Sequence, residues 1–485
     1  MSDTANRILK NTIVRVGGYA LGAGLYFFVT ILIARYLGTE GFGYYSFIMA
    51  FVGAFQLLVD MGVVKILIRD IAVDKIHYAE KLGVARTLLW TLSLIAMALI
   101  VLCANLLPLS SEVRQSTYLG GLAVIITFYG LGYSSVLRAF EEMEWDVLGF
   151  VLHKLLFIGL VAIVIHTDWG LRGVFLVMLG SNVFLYLYYF VLVRVLHGWS
   201  KLTLNFRAAW ALLTESLPLG IAEILRRLTL QVDKLLLAAL ATPEAVGLFS
   251  AAYKFAEAIT PFTFTLTLPL YPVFARLGQE SPAKLFNAFE QSLKFLYIMG
   301  VPLAVVLFVF ADRAVVLFFG EAYRESALVL MLLSPTVMLL FPISIYNYIF
   351  ASLGRQRVYT WCVTASLGIK VLLDLLLIPF YGTLGAAIGS LVAEIVLLAS
   401  GLLMLRQFGG GFASLWLMWR PLLSGLILGV VCWWVKDMRL ASLVLGVFTG
   451  LVAYGSLLLL LQTLTREEIA LLIGSVRLRF GSVVR

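Results

Sequence analysis

Six basic side chains lie inside stretches of this sequence that are otherwise almost entirely apolar. They are Lys154, Arg226, Arg227, Lys234, Lys254 and Lys370. Acidic side chains occupy comparable places, at Asp60, Glu223, Asp233, Glu257, Asp374 and Glu394. A charge at the centre of a membrane-spanning helix costs on the order of 3 kcal/mol on insertion scales, so each charge needs a partner or water. Bases held in such a place suit an anionic ligand.

The richest group of charges lies in the apolar run near 215–240. At about 100° per residue along a helix, five of its side chains fall within an arc of about 120°: Glu223, Arg226, Arg227, Asp233 and Lys234. Such a stripe cannot face lipid, so we predict that it faces a wet cavity or another polar helix. Three bases face two acids there, which predicts an anionic substrate. The planar fork of arginine suits a pyrophosphate, because it can hold two phosphate oxygens at once.

Bases from neighbouring runs are expected to complete a cationic lining. The predicted substrate-binding set is Arg226, Arg227, Lys234, Lys254, Lys154 and Arg15. The predicted ion-coupling set is Asp60, Glu223, Asp233 and Glu257, because each carboxylate could titrate or bind a cation. Coupling to H+ or Na+ is left open, as is drive by the membrane potential.

Internal pairing is the simpler alternative for several of these charges. Three pairs have helical i,i+3 or i,i+4 spacing: Glu223 with Arg226 or Arg227, Lys254 with Glu257, and Lys370 with Asp374. Arg15 has another alternative, because its long side chain can extend to the lipid headgroups.

Catalytic and metal-binding patterns are not evident in the sequence. The four histidines, His77, His153, His166 and His197, have no metal-ligand or base–nucleophile spacing. The three cysteines, Cys103, Cys362 and Cys432, lie far apart inside apolar runs, which suggests neither a disulfide framework nor a metal cluster. We therefore predict a protein that is not an enzyme, with no cofactor, no metal and no nucleic-acid partner.

Apolar runs of membrane-crossing length carry these charges. Fourteen fall near 12–37, 43–66, 84–108, 116–137, 146–166, 171–193, 215–240, 245–273, 292–319, 325–352, 357–380, 383–405, 418–435 and 440–463. The 485 residues are 62% hydrophobic and 13% charged, whereas a soluble protein is usually about 25% charged. This composition excludes a water-soluble fold. The first run is much longer than the core of a signal peptide, so we expect it to be retained.

The distribution of Lys and Arg predicts the orientation. With the N-terminus in the cytoplasm, 23 of the 36 Lys and Arg residues lie at the cytoplasmic ends of runs and 7 at the opposite ends. Cytoplasmic loops carry the excess of positive charge in membrane proteins. We therefore predict an all-α multi-pass protein with fourteen transmembrane helices and both termini in the cytoplasm.

An internal repeat divides the chain. Leu32–Phe51 aligns without gaps on Leu236–Phe255 at an offset of 204, and Trp169–Gly180 aligns on Tyr381–Val392 at an offset of 212. A repeat of six spans gives copies of the same topology, related by an axis along the membrane normal with a cavity between them. The predicted units are an N-lobe at 1–197, a C-lobe at 198–408, and two extra helices with a cytoplasmic tail at 409–485.

Three stretches carry a resemblance to a known superfamily. They are Arg35-Tyr36-Leu37-Gly38 with Gly43-Tyr44-Tyr45-Ser46; Asp233 with Val246-Gly247-Leu248-Phe249-Ser250-Ala251-Ala252-Tyr253; and Ile378-Pro379 with Gly382 and Gly385-Ala386-Ala387. On these residues the chain resembles the polysaccharide flippases of the MOP superfamily, which includes the MATE, MurJ and Wzx proteins. The resemblance covers most of the first twelve runs.

The resemblance implies both an architecture and an activity. Family proteins form a V of two six-helix lobes that alternates between inward-open and outward-open states. The implied activity transfers a polyprenyl-pyrophosphate-linked oligosaccharide from the cytoplasmic to the periplasmic leaflet of the bacterial inner membrane. In the lipid II flippase two extra helices form a groove for the lipid tail and arginines line the cavity, and Arg15, Arg226 and Arg227 lie in the spans where such bases are expected. Membrane lipid and polysaccharide assembly proteins are further implied partners.

Two other functions stay open at this point. A drug or metabolite exporter of the same fold is disfavoured by the extra helix pair and by the surplus of bases, since cationic drugs prefer an acidic cavity. A membrane glycosyltransferase or polysaccharide polymerase needs a sizeable outward loop, and the outward loops near 109–117 and 320–326 are too short for one.

Overall fold

The structure, a computed structural model, describes residues 2–199, 205–409, 418–438 and 440–463. Within these ranges it does not describe the side chains of residues 2–13, 16, 60, 218–219, 222–223, 264–265 and 440–443. All regular secondary structure of the described residues is helical. The prediction of an all-helical fold is therefore confirmed for this part of the chain.

The N-terminal half contains six helices. They are α1 (Ser2–Asp60), α2 (Val63–Val73), α3 (Tyr78–Leu106), α4 (Ser111–Ala139), α5 (Met143–Thr167) and α6 (Gly170–His197). Helix α1 covers two predicted runs, and a kink at Gly38 divides it into limbs at 2–37 and 39–60. Gly38 has φ 70° and ψ −177°, a conformation that side chains with a Cβ rarely adopt.

The C-terminal half contains nine helices. They are α7 (Phe206–Leu240), α8 (Pro243–Thr267), α9 (Leu270–Glu280), α10 (Pro282–Val309), α11 (Ala311–Phe319), α12 (Ser326–Ile343), α13 (Tyr346–Ser352), α14 (Gln356–Tyr381) and α15 (Thr383–Arg406). A 3₁₀ turn at Glu321–Tyr323 follows α11. Two further helices end the described chain, α16 (Trp419–Val435) and α17 (Leu440–Leu460).

Within the described residues, nine helical segments are long and apolar enough to cross a membrane, and two shorter apolar helices lie at Trp419–Val435 and Val444–Leu460. The kinked α1 counts as one of the nine, from Gly17 to Val59. Helices α7 and α8, some of whose side chains lie outside the described residues, are not among these nine segments. The count of fourteen transmembrane helices stays a prediction.

The buried side chains form four apolar clusters. One draws mainly on α2, α3, α4 and α6 of the N-terminal half, and a second lies within the C-terminal half. A third joins the two halves and contains Phe42 and Tyr45 of α1 beside Phe249 of α8 and Phe319 of α11. The fourth attaches α16 and α17 to α10. The third cluster lies along the contact between α1 and helices α7 and α8. We call this contact between the two halves the seam.

Candidate functional site

The charged stripe of α7 divides between two directions. Arg226 and Asp233, at one edge of the stripe, have partners on α14 and α15. Lys234 and Arg227, at the other edge, lie toward α8 and the second limb of α1. The stripe therefore faces polar helices on one side and the seam on the other.

Arg226 forms a part-buried ion pair inside the C-terminal half. Its Nη1 lies 2.8 Å from Oε1 of Glu394 on α15. Desolvating both charges is costly, and the pair offsets that cost only while both partners are present. Arg226 therefore binds a ligand only if its guanidinium contacts the ligand and Glu394 together, or if its ion pair with Glu394 breaks.

Lys370 is paired with a helix other than its own. Its Nζ lies 2.7 Å from Oδ2 of Asp233 and donates a hydrogen bond of 2.5 Å to the carbonyl of Thr229. The hydroxyl of Ser390 on α15 also donates to Asp233, at 3.1 Å. The alternative of a Lys370–Asp374 pair within α14 is wrong, because the lysine side chain reaches across to α7 where the two helices pack.

Asp374 is fully buried beside this pair. Neither of its carboxylate oxygens receives a hydrogen bond from the described residues. Gly389 leaves space for the group, because a methyl group built on Gly389 would lie 2.0 Å from Oδ1 of Asp374. Two carboxylates and one ammonium therefore share a closed site between α7, α14 and α15.

Glu257 of α8 holds two lysines at once. Its Oε1 lies 2.8 Å from Nζ of Lys234, and its Oε2 forms an ion pair with Lys254, one helical turn earlier on the same helix. Lys234 also donates to Oε1 of Gln231 at 3.4 Å. The alternative of a Lys254–Glu257 pair is present in the structure, with Lys234 as a third member.

Tyr26 connects this group to the N-terminal half. Nζ of Lys254 lies 5.3 Å from the centre of the Tyr26 ring, and Nζ of Lys154 on α5 lies 4.8 Å from the same ring. An ammonium group over an aromatic face is attracted by the ring quadrupole. Residues Tyr26, Lys154, Lys234, Lys254 and Glu257 thus form one group at the seam, which we call the lysine cluster.

The lysine cluster carries an excess of positive charge. Lys154 lies over the rings of Tyr26 and Phe150 and forms no ion pair with any described side chain. The cluster therefore holds three ammonium groups and the single carboxylate of Glu257, which contacts Lys234 and Lys254. The structure brings together the predicted residues Lys154, Lys234, Lys254 and Glu257 from helices of both halves.

Cavities open along the described part of the seam. A cavity of about 130 Å³ lies between the second limb of α1 and α7, and its lining includes Gln56, Arg227 and Gln231. A cavity of about 360 Å³ lies between the first limb of α1 and α8, and its lining includes Gly24, Phe27, Ala258 and Pro261. Arg227 therefore lines the smaller of these two cavities, between the halves, together with Gln56 and Gln231.

The remaining predicted site residues lie elsewhere. Arg15 is exposed, and its guanidinium lies 5.8 Å from the ring of Tyr19, away from the lysine cluster. The side chains of Asp60 and Glu223 lie outside the described residues. In the described part of the chain, no group of three or more His, Cys, Asp or Glu side chains is arranged to hold a metal ion.

Sequence reasoning missed two features of the site. Tyr26 was not singled out, because an aromatic residue in an apolar run gives no sign that it contacts a base. The network around Asp146 was also missed: Arg138 contacts its carboxylate at 2.9 Å, and Ser134 and Tyr19 donate hydrogen bonds to it. The sequence feature from which this network could be predicted is the acidic Asp146 at the start of the apolar run near 146–166.

Contacts hold the two halves together at both ends of the seam. At the end near the kink of α1, Arg35 donates hydrogen bonds to the carbonyls of Leu317 and Phe318, at 2.6 and 2.8 Å. At the opposite end, Arg69 of α2 lies 2.6 Å from Glu215 of α7. The lysine cluster lies between these two contacts.

An apolar groove lies outside the seam. It encloses about 530 Å³ between α10, α12 and α16, and its lining includes Val305, Met338, Leu426 and Trp433. Such a lining suits a hydrocarbon chain and not a charged group.

Comparison with family models gives two matches. A model described as "Polysaccharide biosynthesis protein" matches residues 8–278. A model described as "MatE" matches residues 218–376.

Two related sequences are similar to this chain along most of its length. A putative O-antigen transporter of Escherichia coli K12 is 24% identical over 387 residues, covering 77% of this chain and 91% of that protein. A probable low-salt glycan biosynthesis flippase of Haloferax volcanii is 22% identical over 480 residues, covering 95% of this chain and 96% of that protein.

Solved structures share the fold. The lipid II flippase MurJ in an inward closed conformation superposes with a TM-score of 0.73 at 14% identity, covering 93% of this chain and 98% of that one. An inward-facing multidrug resistance MATE transporter of the MOP superfamily superposes with a TM-score of 0.64 at 18% identity, covering 82% of this chain and 98% of that one.

Proposed function

Because this chain belongs to the polysaccharide biosynthesis protein family, within the MOP superfamily, we propose that it moves a lipid-linked oligosaccharide across a membrane. The lipid anchor is a polyprenyl pyrophosphate, and the direction is from the cytoplasmic to the periplasmic leaflet of the bacterial inner membrane. The names of the O-antigen transporter and of the glycan flippase support the substrate class.

The lysine cluster is the observation that carries the proposal. Its three ammonium groups and one carboxylate leave an excess of positive charge at the seam. A pyrophosphate diester is a dianion at neutral pH, so it neutralises that excess. Arg227, on the adjacent polar cavity, supplies a further base for the glycan-bearing phosphate.

The architecture follows the repeat. Fourteen transmembrane helices form an N-lobe at 1–197, a C-lobe at 198–408 and an added pair at 409–485, with both termini in the cytoplasm. The end of the seam at Arg69 then faces the cytoplasm and the end at Arg35 faces the periplasm. Rocking of the lobes opens one end at a time and carries the headgroup across.

The hydrocarbon tail stays in lipid and passes along the apolar groove beside α16. The groove's volume of about 530 Å³ and its apolar lining suit part of a polyprenyl chain. Membrane lipid fills the groove between transport cycles, and polysaccharide assembly proteins receive the product on the far side.

Ion coupling is assigned to the closed carboxylate site of the C-lobe. Asp233, from the predicted coupling set, shares this site with Asp374, whose carboxylate receives no hydrogen bond from the described residues. The site holds two carboxylates and the single ammonium group of Lys370. One bound proton or one small cation would neutralise the remaining negative charge.

Transport in proteoliposomes tests the proposal. Labelled polyprenyl-diphosphate oligosaccharide is supplied on one side, and its appearance in the opposite leaflet is measured. Replacing Lys154, Arg227 and Lys254 together by Gln is expected to abolish transfer, whereas Lys284→Gln, an exposed base on α10, leaves it unchanged. Full transfer by the triple variant would refute the assignment of the site.

Export of a drug or metabolite is the second candidate, favoured by the MatE match over residues 218–376. A panel of drug susceptibilities, with and without the protein, separates the two. Resistance to cationic compounds without any transfer of the lipid-linked sugar would select the exporter.

A further inference from the structure

Glu257 occupies the lysines that a phosphate group would need. Each of its carboxylate oxygens holds one ammonium group, Lys234 at 2.8 Å and Lys254 as the second partner. Two of the three ammonium groups in the lysine cluster therefore share the single carboxylate of Glu257, and Lys154 is the third. While both ion pairs are intact, Lys154 is the lysine of the cluster that a diphosphate could contact without displacing Glu257.

The surroundings of the lysines leave little room for an added ligand. Lys234 contacts Glu257, Gln231 and the ring of Tyr253, and its side chain is 6% exposed. Lys254 contacts Glu257 and the ring of Tyr26, and its side chain is 11% exposed. A phosphate oxygen reaches either ammonium group only by replacing the carboxylate.

Glu257 is the member of the group that is able to move away. Its side chain is 29% exposed, well above either lysine. The next residue, Ala258, lines the cavity of about 360 Å³ between α1 and α8. The Glu257 carboxylate is therefore the more accessible partner in both ion pairs and the one that a ligand reaches first.

We propose that Glu257 is an internal counter-ion that occupies Lys234 and Lys254 in the empty protein, is displaced by the diphosphate of the substrate, and returns to expel it. This inference rests on the proposed function. The diphosphate then bridges Lys254 of the C-lobe and Lys154 of the N-lobe, on the ring of Tyr26 that both ammonium groups already contact. Substrate exchange thus replaces a contact within one lobe by a contact between the lobes.

Removing the counter-ion has a characteristic effect on affinity and rate. In Glu257→Gln the cluster gains one net positive charge and loses its competitor, so the diphosphate binds more tightly. Release is slower because nothing replaces the departing phosphate. A side chain with only a structural role would give weaker binding, or no change.

The experiment measures binding and transport of a polyprenyl diphosphate carrying one labelled N-acetylglucosamine. In Glu257→Gln we expect the Kd to fall by about tenfold, the KM to fall with it, and the maximal transfer rate to fall as well. Glu257→Asp keeps the negative charge on a side chain that is too short to contact both lysines. Its Kd is therefore expected to lie between that of the wild type and that of Glu257→Gln. This second variant retains the test if Glu257→Gln does not fold. Glu280→Gln, an exposed acid paired with Arg276, is the control and keeps the wild-type Kd.

The outcomes separate this inference from the proposed function. If the wild-type protein neither binds nor transfers the lipid, both are overturned. If the wild-type protein transfers it and the Kd of both Glu257 variants stays equal to or rises above the wild-type value, only the counter-ion role is overturned. Tighter binding with a lower transfer rate supports the role.

Discussion

Gly43 of α1 and Gly247 of α8 lie against each other's helix in a reciprocal contact. A methyl group built on Gly43 would lie 1.7 Å from the carbonyl oxygen of Pro243, and one built on Gly247 would lie 2.0 Å from that of Thr39. The offset of 204 that aligns the repeat relates Thr39 to Pro243 and Gly43 to Gly247. A reciprocal contact between equivalent residues is what a two-fold relation between the halves requires.

The reciprocal contact predicts that Gly43→Ala separates the halves at this end of the seam. Because the added methyl group overlaps backbone, we expect a destabilisation of about 1–3 kcal/mol and weaker closure. Disulfide formation between Thr39→Cys and Glu244→Cys, whose native side chains are hydrogen-bonded at 3.3 Å, reports closure. Gly159→Ala is the control, because nothing lies within 4 Å of the position of its added methyl group. Equal disulfide yields in the two backgrounds would contradict the prediction.

The buried Lys370–Asp233 pair predicts a large loss of stability when only one partner is removed. Lys370→Ala leaves the carboxylates of Asp233 and Asp374 without a cation, and we expect a cost of about 3–5 kcal/mol in the free energy of unfolding. The double variant Lys370→Ala with Asp233→Ala should lose less than the single one. Unfolding in detergent measures both.

A matched exposed pair is the control for this measurement. Lys284 lies 3.6 Å from Glu280, and both side chains are exposed. Lys284→Ala is expected to cost less than about 1 kcal/mol. A double variant less stable than Lys370→Ala alone would show that the pair does not act as a unit.

These pairs show how far the sequence determines the site. Lys254 and Glu257 were found because they lie one turn apart on one helix, and helical periodicity relates such residues directly. The partner of Lys370 lies on α7, and the periodicity of α14 does not show which helix packs against it. The same limit hid the contact of Tyr26 with Lys154 and Lys254, and that of Arg226 with Glu394. Helical content was predictable because apolar runs of this length adopt few other structures in a membrane.

The ion pair between Arg69 and Glu215 lies at the end of the seam that we assign to the cytoplasm. It predicts that closure of this end depends on the opposite charges of the two side chains. Arg69→Glu places two acids opposite each other, so we expect this end to open more often. The rate at which a membrane-impermeant thiol reagent modifies Ala54→Cys, in the cavity beside Arg227, should rise about two- to fivefold, the scale of an exposed ion pair.

Charge reversal on both sides controls for other effects of the Arg69 substitution. Arg69→Glu with Glu215→Arg restores the opposite charges and should return the labelling rate to the wild-type value. Arg276→Glu changes an exposed base on α9 and should leave the rate unchanged. If the double reversal labels as fast as Arg69→Glu alone, the ion pair does not control this end.

The apolar groove beside α16 predicts a variant that weakens the interaction with the lipid tail and leaves binding of the diphosphate sugar unchanged. The position of a Cβ on Gly429 lies 3.5 Å from Val305, so Gly429→Trp directs an indole ring into the groove. A polyprenyl tail is already surrounded by lipid, so the groove contributes packing and no further burial from water. We therefore expect a modest rise of about threefold in the KM for the full-length lipid-linked sugar, with no change in the Kd of a short-chain diphosphate sugar. Gly455→Trp on α17, where nothing lies within 4 Å of the added Cβ, is the matched control. An equal loss for long and short chains would place the tail elsewhere.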